Sequence, residues 1–99
     1  MDERRNEKRI LIRRTVDFSW GDEQGLGWCR DIGLGGMYVQ SSQQPALGSD
    51  VQITVRFQRA PSICVPARVC WRNDRGFALS FGDLADTARD AISKVVRSP

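Results

Sequence analysis

Cys29-Arg30-Asp31-Ile32-Gly33-Leu34-Gly35-Gly36-Met37-Tyr38-Val39 is the stretch on which the fold turns. Three glycines fall within four positions, directly after one apolar segment and directly before another. Glycine adopts backbone conformations closed to other residues and lets a ligand or a second strand approach closely. The segment therefore reads as a tight turn between two strands. Asp31 stands at its mouth, with a carboxylate that only accepts hydrogen bonds when ionised.

Outward from the turn, the chain alternates with period two, the mark of half-buried strands. Toward the N-terminus, Leu26 to Ile32 reads as a strand with Leu26, Trp28 and Ile32 on one face. Gly21-Asp22-Glu23-Gln24-Gly25 is a polar turn flanked by glycine. Before it, Ile10, Ile12, Val16, Phe18 and Trp20 share one face, interrupted by Arg14, while Arg13, Thr15, Asp17 and Ser19 share the other. Toward the C-terminus, Met37, Tyr38 and Val39 make a short third strand. A polar loop over residues 40–50 carries Pro45 and Gly48. Val51, Ile53, Val55 and Phe57 then alternate cleanly, followed by Ile63, Val65, Ala67, Val69 and Trp71. Pro66 cannot donate to a ladder, which places its part of that strand at an edge or bulge. Asn73-Asp74-Arg75-Gly76 is a hairpin turn by residue type, and Phe77, Leu79 and Phe81 form the last strand.

After Gly82 the period changes. Leu84, Ala88, Ala91, Ile92, Val95 and Val96 form one stripe of a helix expected over about residues 84–97, with Asp83 as its N-cap. Six short strands separated by turns indicate an antiparallel barrel or sandwich, with the helix over one opening or one face. Trp71, Phe77, Phe81 and Phe57 are expected to supply much of the core.

At 99 residues the chain is one small domain. No apolar run approaches the roughly 18 residues of a membrane span, and no signal peptide precedes the charged N-terminus, so the expected location is the cytoplasm. Cys29, Cys64 and Cys70 form no C-x-x-C pair. Cys64 and Cys70, on one strand, would stand about 20 Å apart, too far for a disulfide. With no histidine in the chain, scattered cysteines argue against a zinc site, and nucleophilic catalysis by a Ser–His or Cys–His pair is excluded. Gly33-Leu34-Gly35-Gly36 lacks the following helix of a phosphate loop or dinucleotide fold. These missing motifs argue against an enzyme.

The net charge of +3 is unevenly spread. Residues 1–14 carry six Lys/Arg against three acids, whereas the other 85 residues carry nine of each sign. The whole excess sits at one end, and residues 1–9 read as a flexible basic arm, with the domain proper over 10–99. Such an arm reaches roughly 30 Å when extended. Arginine presents a planar fork of donors that suits phosphate oxygens and the O6/N7 edge of guanine. A carboxylate such as Asp31 complements the N–H donors of guanine. Arginines on an arm and an acid on a rigid turn together suit a guanine phosphate ligand.

Arg4-Arg5-x-x-x-Arg9, followed about twenty residues later by Asp31-x-Gly33-x-x-Gly36, resembles the PilZ domain, whose motifs are R-x-x-x-R and [D/N]-x-S-x-x-G. The likeness extends through Gly48-x-x-Val51, Ala67-x-Val69-x-Trp71 and Gly76-Phe77-x-Leu79-x-Phe81. It implies a six-stranded antiparallel β-barrel with a flanking helix, and a non-enzymatic bacterial receptor for cyclic di-GMP that needs no further cofactor. By position, Arg5 and Arg9 would bind phosphate and guanine with help from Arg4, Asp31 would bind a guanine edge, and Gly36 would give backbone room. Trp71 is a candidate for stacking on guanine, against core packing suggested by its phase. Gly33 stands where the motif has serine, so one hydroxyl is missing; a hydrogen bond to a charged group is worth about 1.5–3 kcal/mol. The expected action is ligand-driven ordering of the arm, which creates a surface for an effector protein. Two alternatives stay open: a PilZ-like adaptor without nucleotide, and a small barrel that binds single-stranded nucleic acid. The confinement of positive charge to the arm disfavours the latter.

Overall fold

The computed structural model describes residues 9–57 and 62–97. Arg4, Arg5 and the rest of the arm before Arg9 lie outside the described residues. Six strands and one helix follow in order: β1 (Arg9–Trp20), β2 (Glu23–Gly33), β3 (Gly36–Gln40), β4 (Asp50–Val55), β5 (Ile63–Arg72), β6 (Gly76–Phe81) and α1 (Asp86–Arg97). The strands close into an antiparallel barrel in the order β1-β2-β3-β6-β5-β4. Closure pairs β1 with both β2 and β4, so the sheet has no long open edge.

The barrel interior follows the period-two pattern of β4, and of β5 as far as Val69. Val51, Ile53 and Val55 point inward, as do Ile63, Val65, Ala67 and Val69. Pro66 is exposed and pairs with Gln52 of β4, one residue before the β5–β6 ladder begins at Ala67. A residue without an N–H is tolerated there because β5 has a neighbour on one side only.

Strand β2 runs against its sequence pattern. Leu26 and Trp28 lie on the outer face, and Gly25 and Cys29 are the buried residues. The reason is Phe18. Its ring occupies the space beside Gly25, where a Cβ would lie 2.6 Å from Cζ. Phe18 stacks on Trp20 at 5.5 Å between centroids and meets Phe77 edge-on at 5.1 Å. Glycine on the inner face of β2 thus lets β1 supply the large aromatics, which pushes the apolar residues of β2 outward. A bulge between Cys29 and Asp31 then shifts the phase, so that Ile32 points in.

The expected aromatic core is corrected in the same way. Phe77 is fully buried, but Phe57 and Phe81 only pack half-buried against the core. Trp71 is 52% exposed, because a second bulge, between Val69 and Trp71 of β5, turns it out of the barrel.

Helix α1 begins at Asp86, not near residue 84. The N–H of Arg89 donates to the carbonyl of Ala85 at 2.9 Å, so Ala85 occupies the N-cap position expected for Asp83. Asp86 supplies the acid that favours a helix N-terminus. Ala88, Ala91, Ile92 and Val96 bury the inner stripe against the barrel, where α1 contacts β2 and β5.

The β1–β2 turn has two residues, Gly21 and Asp22, and Gly21 has φ 56°. Positive φ at the first turn position matches the twist of the flanking strands. No neighbouring atom lies within 4 Å of a Cβ built there, so Gly21→Ala is limited by backbone strain alone. It is expected to cost about 1 kcal/mol and to lower Tm by roughly 4–8 °C in thermal unfolding.

Candidate functional site

The glycine turn closes in two residues. Leu34 and Gly35 connect β2 to β3, with Ile32 opposite Met37. Positive φ occurs at Gly21 and Gly48 and at no other described glycine, so the turn closes without a left-handed residue. What the turn uses is close approach. Gly33 and Gly36 are both buried. Gly36 pairs with Ser80, and the N–H of Phe81 donates to the carbonyl of Gly35 at 3.0 Å. The turn is thereby fixed to the end of β6.

The ladder brings the two sequence clusters together. Arg9, first residue of β1, lies directly opposite Gly33, last residue of β2. Two residues along, Leu11 lies opposite Asp31. Asp31 in turn lies opposite Tyr38, Tyr38 opposite Ala78, and Ala78 opposite Trp71. Leu11, Asp31, Tyr38, Ala78 and Trp71 therefore form one row across five strands. From Asp31 to Trp71 the row covers three strand spacings, roughly 14 Å along the sheet.

Tyr38 and Arg30 are members of this surface that residue patterns alone do not single out. Met37 and Val39 point into the barrel, so Tyr38 points out, yet it is only 8% exposed. Trp71 tilts against it at 6.2 Å between ring centroids, and the Arg30 guanidinium lies over its ring at 5.7 Å. A cation over an aromatic face is held by the ring quadrupole, by about 0.5–1 kcal/mol at an exposed site. The Tyr38 hydroxyl donates to Asn73 Oδ1 at 2.9 Å. The same oxygen accepts the N–H groups of Arg75 and Gly76, at 2.9 Å each, and so shapes the β5–β6 turn. The signal for Arg30 was its position next to Asp31. The signal for Tyr38 was the alternation of β3.

Asp31 is half-buried on β2 and is not without a partner. Trp71, whose phase in the sequence suggests core packing, presents half its surface to solvent beside Tyr38. Of the motif residues, then, Arg9, Asp31, Gly33 and Gly36 gather at one end of β1, β2 and β3, and Trp71 lies across the sheet in the same row. Arg4 and Arg5 precede Arg9 in the chain.

The model of the PilZ domain family matches residues 3–98. Solved structures give the same fold. The motility inhibitor MotI of Bacillus subtilis superposes with a TM-score of 0.85 at 19% identity, covering 97% of this chain and 51% of MotI. The PilZ domain of YcgR from Escherichia coli, solved with c-di-GMP, gives 0.80 at 15% identity, over 97% of this chain and 91% of that one. The PilZ domain of CeSA from a cellulose-synthesizing bacterium gives 0.74 at 17% identity, over 91% and 95% of the two chains. The chain thus spans about half the length of MotI. No curated protein matches it. A family match over nearly the whole chain agrees with the closed six-stranded barrel, its C-terminal helix and the position of the glycine turn: the chain belongs to the PilZ domain family.

Proposed function

We propose that this domain is a bacterial cytoplasmic receptor module for cyclic di-GMP that passes its ligand state to an effector protein without catalysis. The observation that carries the reading is the strand register. It sets Arg9 against Gly33 and puts Asp31 in one row with an exposed tryptophan. In this reading Arg5 and Arg9, with Arg4, hold phosphate and a guanine edge through guanidinium forks. Asp31 accepts the guanine N–H donors. Gly33 and Gly36 keep the turn open to the ligand. Trp71 stacks on a base, an interaction worth about 1–3 kcal/mol in nucleotide complexes. Ordering of the arm over the bound ligand is the switch.

The deciding experiment is calorimetric titration with cyclic di-GMP, cyclic di-AMP and single-stranded DNA at one salt concentration, since phosphate contacts are salt-sensitive. Tightest binding of cyclic di-GMP is expected. Equal or tighter binding of the DNA returns the nucleic-acid reading.

One observation favours a second reading, a PilZ adaptor that works through protein contacts and binds no nucleotide. Gly33 takes the place of the motif serine and removes a donor from the site. Gly33→Ser tests how much that matters. The backbone at Gly33 is outside the left-handed region, so a side chain brings no φ strain. A restored hydroxyl that bonds a charged ligand group is worth about 1.5–3 kcal/mol, and cyclic di-GMP affinity is expected to rise at least about tenfold. An unchanged affinity in both the parent and the serine variant, at a level too weak to measure, supports the adaptor.

A further inference from the structure

The outer face of β1 and β2 carries three of the five exposed large apolar side chains among the described residues: Leu11 at 77%, Leu26 at 66% and Trp28 at 51% exposed. Leu11 and Trp28 line a groove of about 740 Å³ together with Arg13, Arg30 and Gln40. Among the described residues no lining residue is acidic. The ion pairs among the described residues are Arg56–Asp17, Arg68–Asp50 and Lys94–Asp90, so Arg13 and Arg30 have no acidic partner among those residues. Exposed tryptophan and arginine around an aliphatic side chain is the composition of interface centres rather than of ordinary surface.

We infer that this groove docks an acidic segment of another protein, which inserts an apolar side chain between Leu11 and Trp28 while its carboxylates meet Arg13 and Arg30. Charge selects the occupant. A second copy of this chain is disfavoured, because a two-fold interface on this face brings Arg13 and Arg30 against their own counterparts. A nucleic-acid strand needs a continuous basic track with stacking platforms. Here the basic pair is bounded by Asp31 on β2 and by Asp17 beyond Thr15 on β1. Leu11 offers an aliphatic surface that suits a side chain, not a base. The groove is separate from Trp71 and the glycine turn and meets the proposed ligand surface at Leu11 and at Arg30, which lies over Tyr38; Trp28 and Arg13 stand outside that surface, so variants there test docking apart from the cyclic di-GMP reading.

The test is selection of a short-peptide display library on the parent protein, followed by affinity measurements on Trp28→Ala and Arg13→Glu. Both side chains are exposed, and unchanged thermal unfolding checks that each variant keeps its fold. Selected peptides are expected to combine aspartate or glutamate with a large apolar residue, to lose at least tenfold in affinity for each variant, and to weaken as salt rises. Cyclic di-GMP titrations of the same two variants are expected to match the parent, which keeps failure at the groove distinct from failure at the ligand site. Peptides without acids, peptides that bind both variants as well as the parent, or a library that yields no binder overturn the docking site. So does single-stranded DNA whose binding is lost with Trp28.

Discussion

Arg9→Ala is expected to weaken cyclic di-GMP binding at least tenfold and to leave Tm nearly unchanged. Arg9 begins β1, and its backbone is held by the ladder opposite Gly33 whatever side chain it carries. An arginine at a strand end is expected to project into solvent, and exposed replacements usually shift stability by no more than about 0.5 kcal/mol. The ligand contact is different in kind. A charge-assisted hydrogen bond contributes about 1.5–3 kcal/mol, and each 1.4 kcal/mol is about tenfold in affinity. Lysine at the same position keeps the charge but not the planar fork, so Arg9→Lys is expected to recover only part of the loss. Calorimetry and thermal unfolding on both variants separate binding from folding. If Arg9→Ala binds as the parent does, the arm is not the ligand site and the adaptor reading replaces the receptor.

Gly76→Ala is expected to act the other way, on the fold. Gly76 opens β6, is buried, and pairs with Gln40 of β3. A Cβ there would overlap the carbonyl oxygen of Val39 and would come within 2.9 Å of the Tyr38 hydroxyl. The obstruction is largely backbone, which cannot rotate aside as a side chain does. Overpacking of this kind costs about 3 kcal/mol, a fall in Tm of roughly 12–24 °C for a domain of this size. The displaced Tyr38 hydroxyl also loses its acceptor on Asn73, which loosens the turn and the Trp71 surface beside it. Thermal unfolding of Gly76→Ala and Gly82→Ala side by side checks the cause, because a Cβ at Gly82 meets nothing within 4 Å. Equal losses at the two positions contradict a steric origin.

Strand number, strand order in the chain, the helix and the glycine turn were all legible in the sequence, because each is a local property. Period-two runs such as Val51–Val55 and Ile63–Val69 state their inward face directly. The Asn73–Gly76 turn is written in its residue types, and the helical stripe from Ala88 to Val96 has no strand reading. The family resemblance carried the closure of these strands into a barrel.

Three things were decided only by tertiary structure. The facing of β2 depends on where the Phe18 ring goes, which no pattern within β2 reports; once Gly25 yields that space, Leu26 and Trp28 must lie outside. The exposure of Trp71 depends on a bulge, and one extra residue in a ladder reverses the facing of everything after it. The gathering of Arg9, Asp31 and Tyr38, with Trp71 across the sheet, depends on pairing between strands distant in the chain, whose register is set by the mutual fit of their buried faces. Sequence thus singled out the residues proposed to meet phosphate and guanine. Their common surface exists only because the sheet closes and brings β1, β2, β3, β6 and β5 side by side.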